Sequence, residues 1–170
     1  MILIINTTAD RSVTEEIRRQ LADTSIDADI VETDEMKISH CIGCNYCWLK
    51  TPGECSIKDD YEILLKKMIH ADQIWVISDT ALGFLDHKGK NIFDRILPLA
   101  TMYLKFKGDQ MRHVARYKKR SDFGIIYKGE PEVEYLKRWN ERAALNFETK
   151  SLGVYSTDEI KEAVSCMCLS

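Results

Sequence analysis

"MILIINTTADRSVTEEIRRQLAD", residues 1–23, carries the reading on which the fold turns. Residues 1–6 form a continuous apolar run with three isoleucines, the pattern of a strand buried on both faces. The period then changes. Val13, Ile17 and Leu21 recur four apart with charges between them, which predicts an amphipathic helix. Ser12 followed by Glu15 or Glu16 predicts a cap for it. The turn between, residues 6–12, leads from a strand into a helix N-terminus.

The same alternation runs outward from this start. "ADIVETD" (28–34) reads as a second, weaker strand. "DDYEILLKKMIHA" (59–71) reads as a helix, with acids at its start and bases later, as the helix dipole prefers. "QIWVIS" (73–78) is a third strand, "KNIFDRILPLATMYL" (90–104) a helix and "DFGIIY" (122–127) a fourth strand. Residues 130–147 predict a long helix with Pro131 near its first turn. "KSLGVYS" (150–156) is a fifth strand, and a short last helix follows, capped by Thr157 or Asp158. Five alternations predict an α/β fold: a five-stranded parallel sheet with helices on both faces. In such sheets ligands bind beyond the carboxyl ends of the strands. The turns at 6–12, 78–88 and 128–130, with the cysteine-rich loop after strand two, are therefore where chemistry is expected.

A length of 170 residues predicts one domain, 1–170, with a core that needs no staples. An apolar share of 45% and a charged share of 30% are ordinary for a globular protein. A net charge of −3 argues against nucleic acid or an anionic membrane as partner. No apolar run is long enough for a leader or a span, so the expected location is the cytoplasm, where thiols stay reduced.

The first turn offers hydroxyls from Thr7, Thr8, Ser12 and Thr14 and a cation from Arg11, beside free helix N–H groups that favour an anion. Asp10 opposes an anion there, and the same hydroxyls would serve equally as helix caps. The loop "CIGCNYCWLKTPGECSIKDD" (41–60) places Cys41, Cys44, Cys47 and Cys55 at C-x2-C-x2-C-x7-C. Thiolates so spaced can wrap an iron–sulfur cube, with the fourth coming from further along. Structural zinc usually draws two separated pairs, which are missing here. Free, partly buried thiols remain the plain alternative.

This loop, followed by "ADQIWVIS" and "SDTALGFLDHKGKNIFDRILPLA", resembles the NAD(P)H-dependent FMN reductase family, which includes the iron–sulfur flavoproteins. Ser78, Gly83, Lys90, Asp94 and Arg95 sit where that family's turn and helix pattern expects them. The resemblance implies a flavodoxin-like three-layer sandwich with FMN at the strand carboxyl ends, often as a dimer or tetramer. It implies the flavin phosphate on Thr7, Thr8, Arg11, Ser12 and Thr14, and the flavin ring against Asp79, Thr80, Ala81, Leu82 and Gly83 after Ser78. It implies a 4Fe-4S cluster on Cys41, Cys44, Cys47 and Cys55, as in some relatives. The chain departs from the pattern in its first turn, where Gly-Ser-Pro-Arg becomes Thr7-Thr8-Ala9-Asp10. It departs again where proline becomes Asp79 and an aromatic becomes Ala81.

The four histidines show no metal spacing; His87 and Lys88 lie in the flavin-side turn within reach of an anion or serve as a helix start. "RHVARYKKR" (112–120) reads as a solvated basic connection. Cys166 and Cys168 read as tail thiols. The resulting expectation is a cytoplasmic FMN oxidoreductase passing electrons from NAD(P)H to a small redox substrate or an electron-transfer protein, as a homo-oligomer. The competing expectations are a flavodoxin-fold binding partner that has lost FMN, and a four-cysteine metal or thiol redox protein.

Overall fold

The computed structural model describes residues 1–169; the expected domain 1–170 extends to Ser170, which lies outside them. In chain order the strands are β1 (Ile2–Asn6), β2 (Ala28–Glu32), β3 (Gln73–Ala81), β4 (Phe84–Leu85), β5 (Ala100–Lys107), β6 (Gln110–Ala115), β7 (Asp122–Lys128) and β8 (Ser151–Ser156). The helices are α1 (Ser12–Leu21), α2 (Tyr46–Leu49), α3 (Tyr61–His70), α4 (His87–Asp94), α5 (Val133–Asn146) and α6 (Ile160–Leu169). Five strands pair in parallel in the order β2-β1-β3-β7-β8, and the short β4 folds back antiparallel on the end of β3. The expected five-stranded parallel sheet is present.

Side chains on a strand alternate between faces, so each apolar run divides into two cores. Leu3, Ile5, Ile74, Val76, Phe123 and Ile125 face α3, α4 and α5. Ile2, Ile4, Trp75, Ile77 and Ile126 face α1 and α6, meeting Val13, Ile17, Leu21, Ala163 and Met167. Burying each such aliphatic side chain is worth about 1.5–3 kcal/mol. The run at residues 1–5 is apolar throughout because both faces of β1 are covered. Trp75 lies opposite Gly124 on the neighbouring strand, and a Cβ on Gly124 would stand 2.4 Å from the indole ring.

The sequence expectation fails in the segment after α4. The helix expected over 90–104 stops at Asp94. Pro98 has no N–H to give the Asp94 carbonyl and disfavours helix at Leu97, so only a 3-10 turn forms at Leu97–Leu99. Beyond it the chain becomes a free-standing hairpin, β5 with β6, paired through Leu104 with His113 and Phe106 with Met111. The stretch expected as a solvated connection therefore begins as strand β6. Two caps also differ. Ser156 and Glu159 form the capping box before α6, in place of Thr157 or Asp158. Ser12 does not cap α1; the Asp10 carboxylate accepts from the Ser12 N–H at 3.0 Å instead. Among the described residues no helix is long and apolar enough to cross a membrane.

Candidate functional site

β1 ends in Asn6, which is fully buried and organises the first turn. Its Oδ1 accepts from the Thr8 N–H at 3.0 Å and the Thr8 hydroxyl at 2.8 Å, and its Nδ2 donates to Glu32 Oε2 at 2.7 Å. Thr7 turns inward and donates its hydroxyl proton to the Ile77 carbonyl at 2.8 Å. Asp10 Oδ1 accepts from both the N–H and the hydroxyl of Ser12, at 3.0 and 2.5 Å. Its Oδ2 meets Lys128 Nζ at 2.6 Å. Lys128, then Ser12, hold the Asp10 carboxyl down to a pKa of about 2.

The expected phosphate cradle is thus already engaged within the chain. Thr14 donates to Glu32 at 2.7 Å and Arg11 pairs with Asp34 at 2.8 Å, so these two side chains are drawn toward the end of β2. An anion does sit at the start of α1, where unpaired helix N–H groups favour one, but it is the chain's own carboxylate.

The second turn is a tight hairpin rather than a loop. β3 continues through Asp79 and Thr80 to Ala81, and Ala81 pairs back with Phe84. Leu82 and Gly83 form its two-residue tip with φ of 52° and 77°, the left-handed pair that such hairpins require. Leucine in that conformation is strained, and its side chain is fully exposed. Ser78 is buried below and donates to Asp86 Oδ1 at 3.1 Å, which also caps Gly89 at the start of α4.

The third turn ties the other two together. The Thr80 hydroxyl donates to the Lys128 carbonyl at 3.1 Å, the Glu132 N–H donates to the Gly83 carbonyl at 2.7 Å, and Lys128 reaches Asp10. The structure therefore gathers Thr8, Asp10, Ser12, Thr80 and Gly83 at one edge, and it leads Arg11 and Thr14 away from them. Sequence reading missed Asn6, Glu32 and Lys128. A polar residue closing an apolar strand was a signal for Asn6; for Lys128 the signal was its place in the turn at 128–130, which did not single out the side chain.

The four clustered cysteines lie on a loop around α2, with Cys41 exposed and Cys47 buried. Burial, then the charges of Cys55, Cys41 and Cys44, push the Cys47 thiol up, so the four are electrostatic neighbours. The Ser56 hydroxyl, 3.3 Å from Cys44 Sγ, draws that thiol down. As a donor set, four thiols suit iron–sulfur chemistry. Their present geometry is open: among the described residues no three His, Cys, Asp or Glu side chains are gathered as a metal requires.

Arg95 pins this loop from below. Its guanidinium is wholly buried, pairs with Asp59 at 2.7 Å, donates to the Ser39 carbonyl at 3.0 Å and reaches Cys55 Sγ at 3.3 Å. It also lies over the Tyr61 ring at 4.4 Å. Its Nε has no partner among the described residues. On the far side Trp48 donates to the Leu97 carbonyl at 2.8 Å and stacks on His113 of the hairpin.

The backbone of this chain superposes on that of Megasphaera elsdenii flavodoxin with a TM-score of 0.52, covering 97% of this chain and 98% of that one at 12% identity. The fold is flavodoxin-like. Two further flavodoxin-like neighbours are RosB with a bound formylriboflavin phosphate intermediate and the NAD(P)H:quinone oxidoreductase of Methanothermobacter marburgensis. The first has a TM-score of 0.66 at 13% identity, covering 96% of this chain and 75% of that one. The second has a TM-score of 0.62 at 11% identity, covering 96% and 95%. Among curated proteins, an iron–sulfur flavoprotein of Methanocaldococcus jannaschii is 34% identical over 84 residues, 49% of this chain and 42% of that protein. One from Archaeoglobus fulgidus is 36% identical over 81 residues, 48% and 39%. The match thus spans about two fifths of these relatives' length. No family model matches the chain. The likeness to iron–sulfur flavoproteins bears out the resemblance drawn from the cysteine stretch.

Proposed function

We propose that this flavodoxin-like chain works as a flavin oxidoreductase that takes electrons from NAD(P)H through FMN to an acceptor. The observation that carries the proposal is the sequence match to iron–sulfur flavoproteins in a chain whose sheet gathers three turns at its carboxyl edge. The neighbours add support, since one holds a flavin phosphate and another is an NAD(P)H:quinone oxidoreductase. FMN, when bound, supplies interchange between two-electron and one-electron chemistry. The residues assigned to it are Thr8, Ser12 and Lys128 for the phosphate, and Thr80 to Gly83 for the ring edge. As the first turn stands it does not fit a phosphate, because Asp10 holds that position; FMN binding requires the Asp10–Lys128 pair to open.

In the same reading Cys41, Cys44, Cys47 and Cys55 ligate a 4Fe-4S cluster once the loop tightens around it, and the cluster supplies single-electron steps. The exposed apolar side chains of the β5–β6 hairpin, with Phe106 at 78% exposure, are assigned to self-association. The expected cytoplasmic location is kept as part of this proposal.

A second reading has one specific observation in its favour. A carboxylate fixed at the helix start repels a phosphate dianion, as it would in a flavodoxin-fold protein that has given up FMN for a binding role. Anaerobic purification with a visible spectrum, followed by FMN titration, separates the two. Flavin bands or saturable FMN uptake, with flavin reduction by NADH or NADPH, support the oxidoreductase. Absence of uptake by both the wild type and Asp10→Asn rejects it. Cys44→Ser should abolish iron content; unchanged iron would reject the cluster assignment.

A further inference from the structure

We infer that a cavity beside the first turn binds a small organic anion that carries a hydrogen-bond donor at its opposite end. The cavity, about 180 Å³, lies between residues 33–40 and the start of α4. Its lining falls into three groups by exposure and chemistry.

The rim is polar, with one ammonium and one carboxylate, Asp34, among its lining side chains. Lys88 and the imidazoles of His40 and His87 are exposed there, with the two rings 6.0 Å apart. Lys88 makes no ion pair or hydrogen bond among the described residues. The carboxylates nearby have other work. Asp34 is paired with Arg11 at 2.8 Å, and Asp86 Oδ1 accepts from Gly89 and Ser78 while its other oxygen lies 3.9 Å from His87 Nδ1. An uncompensated ammonium with two ring N–H donors favours an anionic head.

The floor has the opposite hydrogen-bonding character. Thr7 and Thr33 are buried and have given their hydroxyl protons to the Ile77 and Asn6 carbonyls, at 2.8 and 3.0 Å. They can offer the cavity only lone pairs. Asn91, also buried, donates its Nδ2 to the Ser39 carbonyl at 3.0 Å, and its Oδ1 accepts from no donor among the described residues. A floor of acceptor oxygens favours an O–H or N–H over a further acceptor. Between rim and floor the wall is apolar, built by Met36, Ile38 and Ile92. Anion outside, apolar middle and donor inside describe a hydroxyaryl or amino-substituted carboxylate better than phosphate alone.

The site does not depend on the flavin proposal and is tested without flavin. 4-Hydroxybenzoate is titrated into the full chain by calorimetry, with backbone amide shifts followed by NMR. Benzoate, 4-hydroxybenzamide and inorganic phosphate serve as comparisons. Saturable 4-hydroxybenzoate binding is expected, at least fivefold tighter than any of the three, with shifts at residues 33–40 and 87–92. Lys88→Gln should weaken it about tenfold. No saturable binding, or binding indifferent to Lys88→Gln, overturns the proposal. Phosphate binding as tightly as 4-hydroxybenzoate overturns the ligand class. Loss of FMN binding with this site intact would count against the flavin proposal alone.

Discussion

Lys128 Nζ stands 2.6 Å from Asp10 Oδ2, joining the first turn to the end of the fourth strand of the parallel sheet across 118 positions of sequence. The pair fills an anion position with the chain's own charge. Any phosphate entering there must displace Asp10, and in doing so it inherits Lys128 as counter-ion.

Asp10→Asn should therefore tighten FMN binding about tenfold, or ~1.4 kcal/mol, by removing the competing charge while keeping a cap oxygen. Lys128→Gln should weaken it. The depressed Asp10 carboxyl, at about 2, stays ionised throughout pH 5–8, so the Asp10→Asn gain should change there only as the FMN phosphate itself ionises, at about pH 6, and be flat from pH 7 to 8. Quenching of FMN fluorescence measures both. A gain that vanishes at pH 8 would mean another group sets the competition.

Removing Arg95 tests what holds the cysteine loop. Arg95→Met leaves Asp59, itself almost wholly buried, without its ion pair. Breaking a buried pair from one side costs about 3–5 kcal/mol. Urea denaturation should show a loss of that order. Hydrogen exchange should show the Ser39 and Ile57 region opening first, because both carbonyls accept from this guanidinium.

Trp75 and Gly124 test the sheet's centre. Gly124→Ala places a methyl 2.4 Å from an indole that is fixed on the other side by its bond to Gln73. Overpacking of this kind costs about 1–3 kcal/mol. The midpoint of thermal unfolding should fall accordingly, and an unchanged midpoint would show that the ring has room to shift.

Glu148 anchors the turn end of the hairpin through Lys105 at 3.0 Å and ties it to Arg120 at 2.5 Å. Lys105, then Arg120, hold its carboxyl at about 2 against an ordinary 4.5. A carboxylate depressed on folding stabilises the protein above its unfolded pKa and loses that contribution as pH falls through its folded one. The contribution should be complete above pH 5 and lost between roughly 4.5 and 2. In Glu148→Gln the hairpin amides should exchange faster at pH 7, and that part of the acid sensitivity should be missing.

What the sequence determined by itself is the sheet and its helices. Residues 1–6 could only be a strand covered on both faces, and the four-residue spacing of Val13, Ile17 and Leu21 could only bury one helix face, because periodicity is a local consequence of backbone geometry. It also put four thiols on one loop. It did not reveal the β5–β6 hairpin, since residues 99–104 are a largely apolar run that suits helix or strand equally until Pro98 is seen to sit in a short 3-10 turn before it. The tertiary structure alone decided what the first turn does. Thr7, Thr8, Ser12 and Thr14 offer the same hydroxyls to a phosphate as to Ile77, Asn6, Asp10 and Glu32, and hydrogen-bond donors carry no mark of their partner. Only the arrival of Lys128 from β7, two strands across the sheet, by long-range strand pairing, made an acid at residue 10 a stable occupant of the helix start.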